Sequence, residues 1–134
     1  MPNLISLLCP SRSRPEKLER LIKSVASTAT DLSRIEILIY VDDDDPNKFD
    51  YLLSHKNLVI DPLISKLSNI DLLVDQPFRT PILNNIFADR AQGNILMITN
   101  DDQVFRDKNW DIRIDEEVCK FPDEIYCMWF NDGR

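Results

Sequence analysis

Apolar residues fall in short runs separated by longer amphipathic stretches, and this alternation continues along most of the chain. Leu4 to Cys9 is almost wholly apolar and stops at Pro10, too short for a helix and uniform enough for a strand covered on both faces. Ser13, Pro15 and Glu16 then stand at the spacing of an N-cap, a proline at the helix start and a capping-box acid. Leu18, Leu21, Ile22, Val25, Ala26 and Ala29 recur three and four apart, with Lys17, Glu19, Arg20 and Lys23 off the stripe, which predicts an amphipathic helix. Ile35 to Val41 is a second apolar run, and a strand-helix-strand order predicts a parallel α/β unit.

The remainder repeats the theme with one irregular stretch. From Asn47 to Asn69 the pattern is broken: Phe49, Leu52 and Leu53 fit a short helix, and Asp61-Pro62 prevents its continuation. Ile70 to Val74 predicts a third strand. Thr80-Pro81 predicts a helix start, Ile82, Leu83, Ile86 and Phe87 one shared face of that helix, and Gly93 its stop. Asn94 to Thr99 predicts a fourth strand, Trp110 to Lys120 a helix with Trp110, Ile114, Val118 and Phe121 inward, and Ile125 to Phe130 a last strand. No repeat or low-complexity tract interrupts this order, so residues 1–134 are expected to form one domain.

Bulk properties narrow the functions that such a domain can serve. A chain of 134 residues with 43% hydrophobic and 29% charged positions has globular composition and enough length for a core. Sixteen Lys and Arg against 23 Asp and Glu leave a formal charge of −7. That balance disfavours nucleic acid as a partner, and attraction of any anionic nucleotide has to come from a few arginines or a bound cation. Cys9, Cys119 and Cys127 are an odd number without close pairing, read as buried, reduced thiols and hence a cytoplasmic setting. No apolar run approaches the roughly 20 residues that span a bilayer, and no secretion signal is visible.

The chemistry is expected at one edge of the sheet, because ligands of open α/β sheets bind beyond the carboxyl ends of the strands. The first strand brings Pro10-Ser11-Arg12-Ser13-Arg14 to that edge, the second brings Asp42 to Asp45, and the fourth brings Asn100-Asp101-Asp102. Like charges about 4 Å apart repel by roughly 4 kcal/mol at an effective dielectric near 20, so clustered carboxylates call for an offsetting cation. Mg²⁺ or Mn²⁺ held by one or two carboxylates and substrate phosphates answers that need, with Asp102 as the candidate ligand beside Asp101. Solvated acidic turns are the plain alternative reading. His55, in a polar segment, is expected to face solvent, and Trp110 and Trp129 to serve packing rather than sugar binding.

The order of these features resembles a known family. An apolar strand, a polar loop, a helix opening Arg14-Pro15-Glu16-Lys17-Leu18, a strand ending in Asp42-Asp43 and a later strand ending in Asp101-Asp102 look like inverting GT-A glycosyltransferases of the family-2 type. Arg79 to Asn85 and Gly93 to Phe105 carry the best match, and the resemblance covers nearly the whole chain. It implies a Rossmann-like three-layer α/β/α sandwich with a mostly parallel sheet, cut short at its C-terminal side. It further implies binding of a nucleotide-sugar, a UDP-sugar by the nature of the acids, and transfer of the sugar to a glycan, lipid or protein acceptor.

By the same resemblance, Asp43 with its neighbour Asp42 accepts the imide N–H of uracil, Pro10 and Arg12 lie about the base and ribose, and Arg79 approaches the nucleotide. Asn100-Asp101-Asp102 stands where the family has Asp-x-Asp, departing at the first position, with Asp101 toward the ribose and Asp102 on the metal. The family's general base lies past the last strand, and Asp132 does not match its place. Two other readings stay open: a noncatalytic nucleotide-binding module that keeps the fold, and a phosphoacceptor receiver-like domain. The donor sugar, the acceptor and the oligomeric state, a homo-oligomer included, are left open by the residues.

Overall fold

A computed structural model describes residues 4–120. Phe121, Cys127, Trp129, Asp132 and the strand expected at 125–130 lie outside the described residues. The elements are β1 (Ile5–Ser11), α1 (Pro15–Thr28), β2 (Ile35–Asp42), α2 (Lys48–Leu58), β3 (Asn69–Asp75), α3 (Thr80–Arg90), β4 (Ile95–Ile98) and α4 (Trp110–Val118), with short 3₁₀ turns before β2 and β3. All neighbouring strands are parallel, in the order β3-β2-β1-β4. The order reverses at β1, where a chain that has stepped outward through β2 and β3 returns to β1's other side. Such a reversal opens a crevice at the carboxyl ends of the two strands concerned, here β1 and β4. A receiver-like domain places β3 beside β1, so the present order removes that reading.

Two apolar clusters sandwich the sheet. On one face Ile5, Leu7 and Cys9 of β1 and Ile35, Ile37, Ile39 and Val41 of β2 pack under α1, α2 and α4. Of the α1 stripe Leu18, Leu21, Ile22, Val25 and Ala26 are buried, each larger one contributing about 1.5–3 kcal/mol relative to exposure, while Ala29 is the extended C-cap and only partly buried. On the other face Leu8, Leu38 and Tyr40 meet Leu83 and Phe87 of α3. Both faces of β1 and β2 are therefore covered, which is why these strands read as continuous apolar runs.

Several local expectations are corrected. The capping box does not form: Arg14, not Ser13, is the N-cap of α1 and lends no side chain to it. Ser13 adopts a positive φ of 55° and turns its N–H to Asp45 Oδ2 at 2.7 Å, so its side chain cannot serve the helix. In α2 the helix is present but its inward residues are Tyr51 and Leu58, while Phe49, Leu52 and Leu53 face outward. Ile82 of α3 is likewise exposed. The Nε2 of His55 lies 2.9 Å from the Ile70 carbonyl, so the half-buried imidazole ties α2 to β3 as a donor instead of facing solvent. Cys119 is exposed, unlike Cys9.

Gly93 does not stop α3, which ends at Arg90. It is needed for close approach: a Cβ there would sit 2.3 Å from Ser6 Oγ and 2.7 Å from the Leu4 carbonyl. Its N–H donates to Ser6 Oγ at 2.9 Å, and Ser6 Oγ in turn donates to buried Glu36 at 2.5 Å. Glu36 also accepts the Gln92 N–H at 2.7 Å, so a polar knot fastens the segment before β4 to the amino end of the sheet.

Candidate functional site

The carboxyl edge is built from three loops held together by their own side chains. β1 ends in Ser11, beyond which Arg12 reaches sideways to β2: its Nη1 donates to Asp42 Oδ2 at 2.7 Å and to Asp44 Oδ1 at 2.8 Å. These two carboxylates, Asp44 first, push the exposed Arg12 guanidinium further toward its charged form. Asp45 turns inward and is only 2% exposed, accepting the N–H of Ser13 at 2.7 Å and of Asn47 at 2.8 Å. It shapes the β1–α1 loop rather than facing the ligand side. Asp43 keeps an exposed carboxylate without a hydrogen bond among the described residues, its backbone N–H being bound to the Asp75 carbonyl at 2.8 Å.

Across the reversal of strand order, β4 delivers Asp101 and Asp102 with opposite orientations. Asp101 is 7% exposed and accepts Ser11 Oγ–H at 2.8 Å, with Arg14 Nη1 at 3.3 Å on its other oxygen. Asp102 is exposed; its backbone carbonyl receives Arg20 Nη2 at 3.4 Å, and its carboxylate makes no hydrogen bond among the described residues. The inner acid is thus held in place and the outer one is unencumbered.

Between these loops lies an open cleft of ≈ 520 Å³. Its polar side carries Ser11, Arg12, Arg14, Asp42 and Asp101, and its apolar side Pro10, Tyr40, Phe78 and Leu83. Phe78 tilts against Tyr40 with ring centroids 6.3 Å apart, and Tyr40 donates its hydroxyl proton to the Gln76 carbonyl at 2.5 Å. Burial first, then Asp75, Asp42 and Asp43, raises the Tyr40 phenol, so it stays a neutral donor. A cleft lined by both aromatic and aliphatic side chains and by arginines and carboxylates suits a ligand with a planar ring at one end and charge at the other.

Of the residues singled out in the sequence, Pro10, Arg12, Asp42 and Asp101 line this cleft together. Asp43 and Asp102 are exposed neighbours of lining residues without lining the cleft themselves, and Arg79 stands exposed at the N-cap of α3 without an ion pair among the described residues. Arg14 is on the edge that the sequence predicts but is assigned no role there, and Phe78 and Tyr51 are residues that the sequence reading misses. Phe78 had a signal, lying in the loop between the third strand and its helix, on the edge where ligands bind. Trp110 is buried edge-on against Phe105, with centroids 4.8 Å apart, as a packing residue.

Among the described residues no three His, Cys, Asp or Glu side chains gather into a metal cage. A divalent ion that takes one carboxylate plus ligand phosphates requires no such cage, and the exposed Asp102 carboxylate fits that mode. No helix of the described residues is long and apolar enough to cross a membrane.

No protein-family model matches the chain. The O-antigen biosynthesis protein RfbC of Myxococcus xanthus is 28% identical over 106 residues, which cover 79% of this chain and 8% of that protein. Residues 1–349 of S. aureus TarS superpose with a TM-score of 0.65 at 13% identity, covering 90% of this chain and 33% of that one. The same protein in complex with UDP-GlcNAc gives a TM-score of 0.59 at 14% identity, covering 90% of this chain and 31% of that one. The chain therefore spans less than a tenth of the RfbC relative and about a third of the solved TarS fragment. With its described strands all parallel and helices covering both faces of β1 and β2, this chain has the GT-A fold of the family-2-type glycosyltransferases that its sequence resembles.

Proposed function

We propose that this chain binds a nucleotide-sugar, specifically a UDP-sugar, in the cleft at the carboxyl edge and serves transfer of the sugar to an acceptor hydroxyl. The observation that carries the reading is the convergence of Asp42 and Asp101 with Arg12, Arg14 and aromatic side chains on one cleft beside the reversal of strand order. The TarS fragment, which shares the fold, has been solved with UDP-GlcNAc and with UDP. In this reading the uracil lies against Phe78 and Tyr40, and the carboxylate pair Asp42 and Asp43 accepts its imide N–H. Asp101 faces the ribose, and Arg12 and Arg14 supply the local positive charge that an overall acidic chain needs for an anionic ligand. Arg79, at the start of α3, is the further candidate to approach the nucleotide.

Asp102 would hold Mn²⁺ or Mg²⁺ through one carboxylate, leaving the other coordination positions for the diphosphate. When bound, the cation neutralises the charge that develops on the departing nucleoside diphosphate. The chain's own part is to bind and orient the donor, because Arg12 and Asp101 are fixed by neighbours before any ligand arrives. Deprotonation of an acceptor needs a base that we assign to no described residue.

Calorimetric titration with a panel of nucleoside diphosphates, with Mn²⁺ and with chelator, tests the reading. UDP should bind more tightly in Mn²⁺, and Asp102→Ala should abolish the difference while the protein stays folded. Equal affinity for every base, or no metal dependence in the unmodified protein, would sink the proposal. Release of free sugar or its transfer from the UDP-sugar separates an enzyme from a module that only binds.

A further inference from the structure

Behind the cleft, polar groups from three elements form one buried chain of hydrogen bonds. The Arg14 N–H donates to Tyr51 Oη at 2.8 Å, Tyr51 Oη and Ser11 Oγ lie 2.6 Å apart, and Ser11 Oγ donates to Asp101 Oδ2 at 2.8 Å. Tyr51 is 1% exposed and sits in the main core, on α2, without lining the cleft. A serine hydroxyl has a single proton, and here it goes to a carboxylate that only accepts when ionised. The proton between Tyr51 and Ser11 must then belong to Tyr51. Burial raises the Tyr51 phenol, in keeping with a hydroxyl that retains its proton.

The chain of bonds therefore runs in one sense, from the backbone N–H at the N-cap of α1, through Tyr51 and Ser11, to Asp101. Each bond polarises the next in a dry setting, and the helix N-terminus at its origin carries partial positive charge that favours the carboxylate at its end. Asp101 is followed at once by Asp102, so the hold on the first, together with the Arg20 contact to the Asp102 carbonyl, limits where the second stands.

We propose that Tyr51 is a positioning residue for the nucleotide site: through Ser11 it locks the cleft-lining Asp101, and thereby steadies the turn that carries the exposed Asp102. This rests on the nucleotide-and-metal reading above. Tyr51 touches no ligand in it; it acts on the turn that does. Tyr51→Phe is a sharp probe because it keeps the ring in the core and deletes one oxygen.

Two measurements on the full chain decide the matter. The first is amide hydrogen exchange without ligand at Asn100 and Gln103, whose N–H groups are bonded within the turn at 3.1 Å each. Tyr51→Phe should speed exchange there about tenfold while α3 amides keep their protection. Ser11→Ala, which breaks the same chain one link later, should do likewise and stands in if the tyrosine variant folds poorly. The second is UDP titration of Tyr51→Phe, which should lose about tenfold in affinity with Mn²⁺ and a clearly smaller factor, that of the Asp101–ribose contact alone, with chelator. Equal losses in both conditions would mean general damage, and unchanged exchange at the turn would overturn the proposal whatever UDP does. A wild-type protein indifferent to UDP and Mn²⁺ overturns the functional reading instead, and the exchange result then still decides whether Tyr51 holds the turn.

Discussion

The end of β2 and the turn after it carry four consecutive aspartates and the turn after β4 carries two, yet both divide their charge in the same manner. In each, one acid points inward and is consumed by the protein: Asp45 by two backbone N–H groups, Asp101 by Ser11 and Arg14. In each, one acid points outward without a hydrogen bond among the described residues: Asp43 and Asp102. The turns differ in how the inner acid is held. Asp45 is gripped by the backbone of its own and one neighbouring loop, whereas Asp101 is gripped by side chains across the reversal of strand order. The first arrangement makes a rigid corner, and the second makes a joint between two halves of the site. Clustered acids in a sequence are thus not one ligand set; their value depends on which of them the fold leaves unspent.

The comparison breaks most visibly at Asp45. Asp45→Ala removes the acceptor for the Ser13 and Asn47 N–H groups, and hydrogen bonds to charged acceptors contribute about 1.5–3 kcal/mol each, so a loss of about 3 kcal/mol is expected. Thermal unfolding should report a midpoint lower by roughly 10 °C. Next comes Asp101→Ala, expected to cost about 2 kcal/mol, since Ser11 loses its acceptor while the half-exposed Arg14 returns to water. Unlike the Asp45 variant it should also erase the Mn²⁺-dependent response to UDP, because the joint is lost together with the stability.

The outer acids should behave oppositely. Asp43→Ala is expected to leave stability within about 0.5 kcal/mol and to weaken UDP about tenfold, which denaturant titration and calorimetry on the same sample would establish. A large stability loss there would erase the distinction between inner and outer acids.

The smallest effect concerns Cys9, which lies in β1 beneath Asp101. Burial above all, with the Asp101 charge acting the same way and a Thr99 hydrogen bond against, pushes its thiol from 9.0 up to about 12. A raised native value means that the folded state holds the proton more tightly. The linked stability is therefore complete below the unfolded value of 9.0 and is lost as pH climbs to about 12. Alkylation at about pH 8 followed by peptide mapping should mark exposed Cys119 and spare Cys9. Asp101→Asn removes one of the charges acting on Cys9 and should make it slightly easier to alkylate in alkali.

What could be read in the sequence followed physical necessity. β1, β2 and α1 were legible because both faces of the strands are buried and the helix has one apolar stripe, which leaves strong periodic signals. The face of α2 was not, because Tyr51 and Leu58 stand two turns apart while the more conspicuous Phe49, Leu52 and Leu53 face outward. The site's acids were visible as runs, but their division into inner and outer members depends on the positive φ of Ser13 and on the approach of Ser11 to Asp101. Arg14 reads as part of the edge loop and of a helix opening, but nothing in its neighbourhood in sequence announces its carboxylate partner from a distant strand. Gly93 looked like a helix stop because spacing shows that a glycine follows a helix but not what presses against it.

Pro10 has one more effect. The β1–β4 ladder runs through Ile95 N–H to the Leu4 carbonyl and Thr99 N–H to the Leu8 carbonyl, so the even-numbered residues of β1 serve β4. Its next rung would need an N–H from residue 10, and proline has none. The two strands cannot zip further, and the chain after Thr99 must veer away from β1 instead of sealing the gap. A missing hydrogen atom in the backbone is what keeps the mouth of the crevice from closing on itself.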